Sequence, residues 1–370
     1  GGGAPRTLIY YFATMLIAVI TGLTVVNLLS PGDPQGDGSG LGSALTAAGE
    51  SAYADTDDTQ RTRIETTGQS GLGAAAQNLL EQLIPANPLG AAADFQLLPV
   101  IAFSILLGLA IVTTGDRARP VREFFEGLMA ASMTLINGIL WLAPVGVFAL
   151  VAWTVARIGL GNLFGPLAMY VAAVLLGLLV HALITLPLVL RLWTGSSPRA
   201  FARGMRPALL TAFGTDSSSA TLPVTMECAE NNGCSRRSSR FVLPLGATIN
   251  MDGTALYEAV AVVFLFQAYG IDLTMTQMII IAVTATLAAV GAAGIPSAGL
   301  VTMVIVIEAV NSSLGGQAAL PIAAVGLILG IDRLLDMCRT TVNVWGDAIG
   351  ARVMTRYAPD ESAEPARTDT

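Results

Sequence analysis

Five polar side chains recur along the last apolar stretch of the chain: Asp332, Asp336, Arg339, Asn343 and Asp347. At about 100° per residue, spacings of 4, 3, 4 and 4 place them within roughly 80° of one helix face. The rest of the stretch from Ile322 to Val353 is mostly Ala, Val, Leu, Ile, Gly and Met. An ionised side chain facing lipid at the bilayer centre costs about 2.5–3.5 kcal/mol or more. A helix carrying this stripe must therefore turn it toward a polar cavity. Three acids and one guanidinium in a row suit a site for cations and for an anionic solute.

The surrounding composition says what positions such a helix. Of 370 residues, 53% are hydrophobic and only 12% charged, about half the charge of an ordinary soluble domain. Apolar runs near or above 18 residues recur, which makes the chain an all-α polytopic membrane protein. The net charge of −7 is no nucleic-acid signature. The chain has no lysine. Its arginines cluster at 117–122, 199–206, 236–240 and 352–356, whereas the loop from Gly32 to Ala75 is acidic. The positive-inside rule places the Arg-rich loops in the cytoplasm of a plasma (inner) membrane and the acidic loop outside. Cys228, Cys234 and Cys338 form no CxxC pair and read as packing residues, not as a disulfide framework or a zinc site.

Most segments read as simple spans. Leu8–Leu29 and Gln96–Thr114 are two, Leu163–Trp193 is another, and Pro120–Arg157 is a long helix broken at Pro144. A short amphipathic helix is expected at Ala74–Ile84. Two segments do not fit. Ala202–Asn232 is interrupted by Gly214-Thr-Asp-Ser-Ser-Ser219, and Met275–Leu314 by Gly291-Ala-Ala-Gly-Ile-Pro-Ser-Ala-Gly299. Each half is too short to cross a hydrocarbon core of about 30 Å. Irregular backbone at membrane depth survives only where protein buries it or it lines water. Both segments are therefore expected to be re-entrant helical hairpins whose tips meet, a pattern that points to a transporter site. Between them, Phe241–Tyr269 contains Asn250-Met-Asp-Gly-Thr254, an unwinding sequence in mid-span whose freed carbonyls could ligate Na⁺.

Four motifs carry a resemblance: Ser217-Ser-Ser-Ala-Thr-Leu-Pro223, the run from Leu245 to Tyr257, Gly294-Ile-Pro-Ser-Ala-Gly299, and the run from Asp336 to Asp347. In this order they resemble the dicarboxylate/amino acid:cation symporter family, which includes glutamate and aspartate transporters. The resemblance covers nearly the whole chain and starts at the family's third transmembrane helix, so the first two are expected to be missing from this sequence. It implies a glutamate-transporter-like fold: a homotrimer in which a transport domain moves like an elevator against a scaffold. On that pattern residues 1–30 and 159–357 form the transport domain, with hairpins at about 202–233 and 273–315. Residues 31–73 form an extracellular loop, 74–158 the scaffold and trimerisation domain, and 358–370 a disordered cytoplasmic tail.

The same resemblance implies roles. Arg339 would read the side-chain carboxylate of aspartate or glutamate, since guanidinium grips carboxylate bidentately. Asp336 would hold the substrate ammonium. Thr254, Thr340 and Asn343 would add hydrogen bonds, while Ser218 and Gly299 amides and the Ile295 carbonyl would grip from the hairpin tips. Co-transported Na⁺ would occupy three sites. The first uses Asp347, Asn343 and the Gly246 and Asn250 carbonyls. The second uses the Thr248 carbonyl with those around Ala289, Val290 and Ala292. The third uses Asp252, Asn250 and Thr14, with Tyr11 nearby, and departs from the family in having Met15 where a second hydroxyl is usual. Glu258 matches the acid of proton-coupled members, and burial penalises the charged form of a carboxyl. No organic cofactor is expected.

Other readings compete. Asp336 and Arg339 could form an intrahelical ion pair that only neutralises both charges. Asp216 either pairs with Arg333 or repels an acidic substrate. The single histidine, His181, reads as packed or bonded across helices. An aspartyl protease on Asp252 and Asp336 needs a shared proton, which a guanidinium one turn from Asp336 opposes. Ser217–Ser219 lacks a nucleophile elbow and a base. Gly291–Gly299 lacks the GK[ST] ending of a phosphate loop. A pure channel does not explain two gated tips. The chain is thus expected to be no enzyme but an Na⁺-driven symporter of acidic amino acids, with a C4-dicarboxylate symporter as the alternative.

Overall fold

The computed structural model describes residues 3–33, 97–140, 166–292, 294, 297–314 and 319–360, with a few isolated positions between 47 and 90. The expected helix at Ala74–Ile84, most of the acidic loop, the Pro144 break and residues 361–370 lie outside these. Among the described residues all regular structure is helical. In chain order the helices are α1 (Gly3–Leu29), α2 (Leu97–Thr114), α3 (Arg119–Leu140), α4 (Pro166–Val180), α5 (Leu186–Thr194), α6 (Pro198–Thr215), α7 (Ser218–Asn231), α8 (Arg236–Ile249), α9 (Asp252–Ala268), α10 (Met275–Gly291), α11 (Ala298–Ser313) and α12 (Gly326–Thr355).

The helix ends follow local chemistry. Ser217 caps α7 by accepting from the Ala220 amide, and Ser235 caps α8 by accepting from the Ser238 amide. Thr274 and Gln277 form a reciprocal capping box at the start of α10. Gly195 ends α5 at φ 68°. A π turn over His181–Thr185 joins α4 to α5. Pro187 lies just beyond it, and its missing N–H cannot serve the regular ladder.

Burial separates core from periphery. Only 39% of the apolar window in α1, and 39% of that running from α4 to α5, is buried, whereas 94% of the window over α8 and α9 is buried. Ile9, Ile20 and Leu28 on α1, and Leu183 and Ile184 on the π turn, are exposed apolar residues that suit a lipid-facing belt. Helix α9 is buried all round from Asp252 to Phe266, as an axial element must be. It packs on α1, α4, α10, α11 and α12. Among the described residues, helices α2 and α3 contact each other and the 3₁₀ turn Gly115–Ala118 between them.

Two pairs of consecutive helices, α6 with α7 and α10 with α11, pack against each other. Their turns touch, the Ser217 hydroxyl donating to the Gly294 carbonyl at 2.6 Å. The helical course from Arg236 to Ala268 breaks at Asn250 (φ −95°, ψ 82°) and Met251 (φ −111°, ψ 64°). Helices α6 to α9 pack on α12, and the α10–α11 turn reaches it through the Ser297 amide, which donates to Asp336.

Residues 358–360 lie against the start of α8. The Ala358 carbonyl accepts from Ser235 Oγ at 2.5 Å, and the Asp360 carboxylate accepts from the Arg236 and Arg237 amides at 3.1 and 3.3 Å. An acidic side chain at the start of α8 satisfies amides that the helix leaves unpaired.

Candidate functional site

Helix α12 carries its polar stripe into the bundle. Asp332, Asp336, Arg339, Asn343 and Asp347 are all buried, and Arg339 is only 1% exposed. The guanidinium sits between two acids. Its Nε donates to Asp336 Oδ1 at 2.6 Å and its Nη1 to Asp332 Oδ1 at 3.3 Å. Its Cζ lies 4.2 Å from the Tyr257 ring centroid, over the ring, and the Tyr257 hydroxyl donates to Asp332 Oδ1 at 2.7 Å. The competing reading of an intrahelical Asp336–Arg339 pair finds its contact here, but within a larger assembly. Gly299, at the start of α11, faces the same guanidinium, and a Cβ there would lie 2.9 Å from Nη1. Only glycine lets this backbone approach Arg339 so closely.

Around this centre lies a nearly filled cavity with about 10 Å³ of free volume, about the space of one water. Ser218, Thr254, Gly299, Asp336, Arg339, Thr340 and Asn343 all line it. These are seven of the eight residues expected to bind substrate; the eighth, Ile295, lies outside the described residues. Four elements supply them: α7, α9, α11 and α12. The Gly253 amide donates to Asn343 Oδ1 at 2.7 Å, and Asn343 Nδ2 donates to the Thr254 hydroxyl at 3.2 Å. Asp336 Oδ2 accepts from the Ser297 amide at 2.5 Å, tying the α10–α11 turn to α12. Ser297 holds φ 60° there, a conformation rare outside glycine.

A second polar cluster surrounds the α8–α9 break. Asn250 Nδ2 donates to Asp347 Oδ1 at 2.9 Å, and Thr14 Oγ1 lies 3.4 Å from Asn250 Oδ1. A Cβ at Gly246 would collide with Asp347 Oδ1 and sit 2.9 Å from the Tyr11 hydroxyl. That hydroxyl donates to the Val242 carbonyl at 2.6 Å. Asp252 Oδ2 lies 3.1 Å from His181 Nε2, while Asp252 Oδ1 is buried without a hydrogen-bond donor among the described residues. Met15 is fully buried. Thr248 lies in the last turn of α8, its hydroxyl donating to the Leu245 carbonyl at 3.0 Å. Ala289 and Val290 end α10, and the Ala292 amide donates to the Ala289 carbonyl at 3.2 Å. Helices α8 and α10 are in contact.

Glu258 is fully buried on α9; Thr302 of α11 donates to its Oε1, and its Oε2 has no hydrogen-bond partner among the described residues. His181 is bonded across helices as expected, to Asp252. Asp216 does meet Arg333, at 2.9 Å. Sequence reasoning gave Asp332, Tyr257 and Ser297 no role at Arg339. Asp332 was visible seven residues before Arg339 on the same face. Tyr257 and Ser297 lie in two of the motifs, but their meeting with α12 from other elements has no signal in the sequence.

The sequence profile of the sodium:dicarboxylate symporter family matches residues 3–357. Human excitatory amino acid transporter 1 is 45% identical over 285 residues, 76% of this chain and 51% of the relative. An excitatory amino acid transporter of Caenorhabditis elegans is 38% identical over 378 residues, covering 94% of this chain and 72% of the relative. Mouse excitatory amino acid transporter 3 is 38% identical over 384 residues, covering 96% and 72%. The chain thus spans about half the length of human transporter 1 in that match.

Proposed function

The chain belongs to the sodium:dicarboxylate symporter family, a family of membrane transporters and not of enzymes, and from that premise we propose that it carries out Na⁺-coupled symport of acidic amino acids. The observation that carries this reading is a buried guanidinium and a buried carboxylate lining one small cavity inside an apolar bundle. Arg339 takes the second carboxylate of aspartate or glutamate, and Asp336 takes the ammonium. Asn343, Thr254 and Thr340 supply hydrogen bonds, and the Ser218, Gly299 and Ile295 backbones close from the two turns.

Na⁺ is cargo in this reading. Asp347, Asn343, Gly246 and Asn250 hold one ion; Thr248, Ala289, Val290 and Ala292 supply carbonyls for a second; Asp252, Asn250 and Thr14, beside Tyr11, hold a third. The donor-free Oδ1 of Asp252 supports the third site, because a hard cation takes oxygen ligands. The α6–α7 and α10–α11 pairs act as re-entrant hairpins that gate the cavity, and the α8–α9 break is an unwound transmembrane segment. Helices α1 and α4 to α12 form the moving unit of an elevator. Helices α2 and α3, which contact each other, belong to the scaffold of a homotrimer in the plasma membrane. Its Arg-rich loops face the cytoplasm.

Competition binding in saturating Na⁺ tests the substrate class. Displacement of labelled aspartate by glutamate but not by succinate supports the amino-acid reading. Equal displacement by succinate favours the C4-dicarboxylate alternative, in which Asp336 has no ammonium to hold.

Two further outcomes are expected. Gly246→Ala pushes Asp347 off the Asn250 amide, so the Na⁺ concentration for half-maximal aspartate binding rises by about tenfold. An unchanged Na⁺ titration would separate Gly246 from the ion site. Glu258 carries a coupled proton, its Oε2 buried without a hydrogen-bond partner among the described residues. Glu258→Gln, fixed in a neutral form, loses the pH dependence of uptake. A variant retaining the wild-type pH profile would remove Glu258 from the coupling.

A further inference from the structure

Asp216 ends α6 in the left-handed conformation, φ 52° and ψ 37°, at the turn that leads into Ser217. Its carboxylate is 1% exposed. Oδ1 accepts from the Thr340 hydroxyl at 3.1 Å, and Thr340 lines the cavity beside Arg339. Oδ2 lies 2.9 Å from Arg333 Nη1, and Arg333 is 40% exposed at the outer edge of the pair. A second acid thus stands one hydroxyl away from the wall of a cavity read as taking an anion. Asp336 and Arg339 are the other charges that act on it. At low dielectric an uncompensated carboxylate in this position repels an acidic solute, because like charges across a dry contact are strongly unfavourable.

We propose that Arg333 is a specificity-determining positioning residue outside the cavity, which neutralises Asp216 so that the α6–α7 turn can close beside an acidic substrate. The inference rests on the acidic-substrate reading above. Its signature is asymmetry between the partners. Removing Arg333 leaves a buried acid without its cation behind the Thr340 hydroxyl that lines the cavity. Removing the Asp216 charge leaves a half-exposed cation that water solvates. Asparagine at 216 keeps an acceptor for Thr340 and tolerates the left-handed backbone.

The test is calorimetric titration of aspartate into the purified chain in saturating Na⁺. Arg333→Gln is expected to weaken binding by at least about tenfold, or about 1.4 kcal/mol. Asp216→Asn, Arg333→Lys and the double variant Asp216→Asn/Arg333→Gln are each expected to stay within about threefold of wild type. Loss in Asp216→Asn equal to that in Arg333→Gln, with no recovery in the double variant, would overturn the inference and leave a packing latch. Unchanged binding by Arg333→Gln would overturn it as well. Should Arg333→Gln not fold, Asp216→Asn and the double variant still decide, since a tenfold loss in either contradicts the proposal. Absence of binding by the wild-type chain would sink the acidic-substrate reading, and this inference with it, whereas the variant outcomes above bear on Arg333 alone.

Discussion

Replacing Arg339 by alanine is expected to weaken aspartate binding by at least about a hundredfold, or about 2.8 kcal/mol. The side chain is 1% exposed and pairs with Asp336 at 2.6 Å and with Asp332 at 3.3 Å. Its loss removes the partner of the substrate's second carboxylate. It also leaves two buried acids without a cation, and an uncompensated buried charge is among the costliest defects a protein can carry. Both effects act against an anionic solute. Arg339→Lys keeps the charge but offers a point donor in place of a planar fork, so it should fall between wild type and alanine. A fold control comes from the ion cluster: Na⁺ should still stabilise Arg339→Ala against heat, because Asp347 and Asn250 do not contact Arg339. Aspartate affinity within threefold of wild type in Arg339→Ala would place the substrate elsewhere.

Asp347→Asn carries the second large effect, on ions and not on substrate. Asp347 is 3% exposed and accepts from Asn250 Nδ2 at 2.9 Å, beside the α8–α9 break. Neutralising it removes the charge that would hold the first Na⁺ among Asn343 and the break carbonyls. The Na⁺ concentration for half-maximal binding should rise by at least about tenfold. Aspartate affinity extrapolated to saturating Na⁺ should change little, because the cavity residues keep their contacts. A fall in that limiting affinity with an unaltered Na⁺ titration would reverse the assignment, making Asp347 a substrate residue.

Much of this arrangement is legible in the sequence because membrane burial is strict about polarity. The stripe on α12 could only face inward, and all five of its residues are buried. Asn250-Met-Asp-Gly marked the α8–α9 break because these residues favour turns over helix interiors. The Gly/Ser/Pro interruptions at 214–219 and 291–299 likewise marked the two turns. What the sequence hid lies at boundaries and across helices. Helix α8 begins at Arg236, five residues before the apolar run at Phe241. The polar Arg236-Arg-Ser-Ser-Arg240 turn is held by the Ser235 cap and by Asp360, 124 residues away. The π turn at His181–Thr185 has no periodicity of its own. His181 announced burial, but its partner Asp252 lies 71 residues on. Tyr257 meets Arg339 from α9, and neither motif on its own signals that pairing.

Uptake of labelled aspartate into proteoliposomes holding the protein tests whether transport is coupled to Na⁺. Uptake is followed with an inward Na⁺ gradient, and with Na⁺ equal on both sides or absent. The predicted result is concentrative uptake only under the inward gradient, collapsing when the gradient is dissipated. Flux that runs down the aspartate gradient regardless of Na⁺ would contradict coupled transport and describe a channel, and no uptake of aspartate under any gradient would contradict it outright.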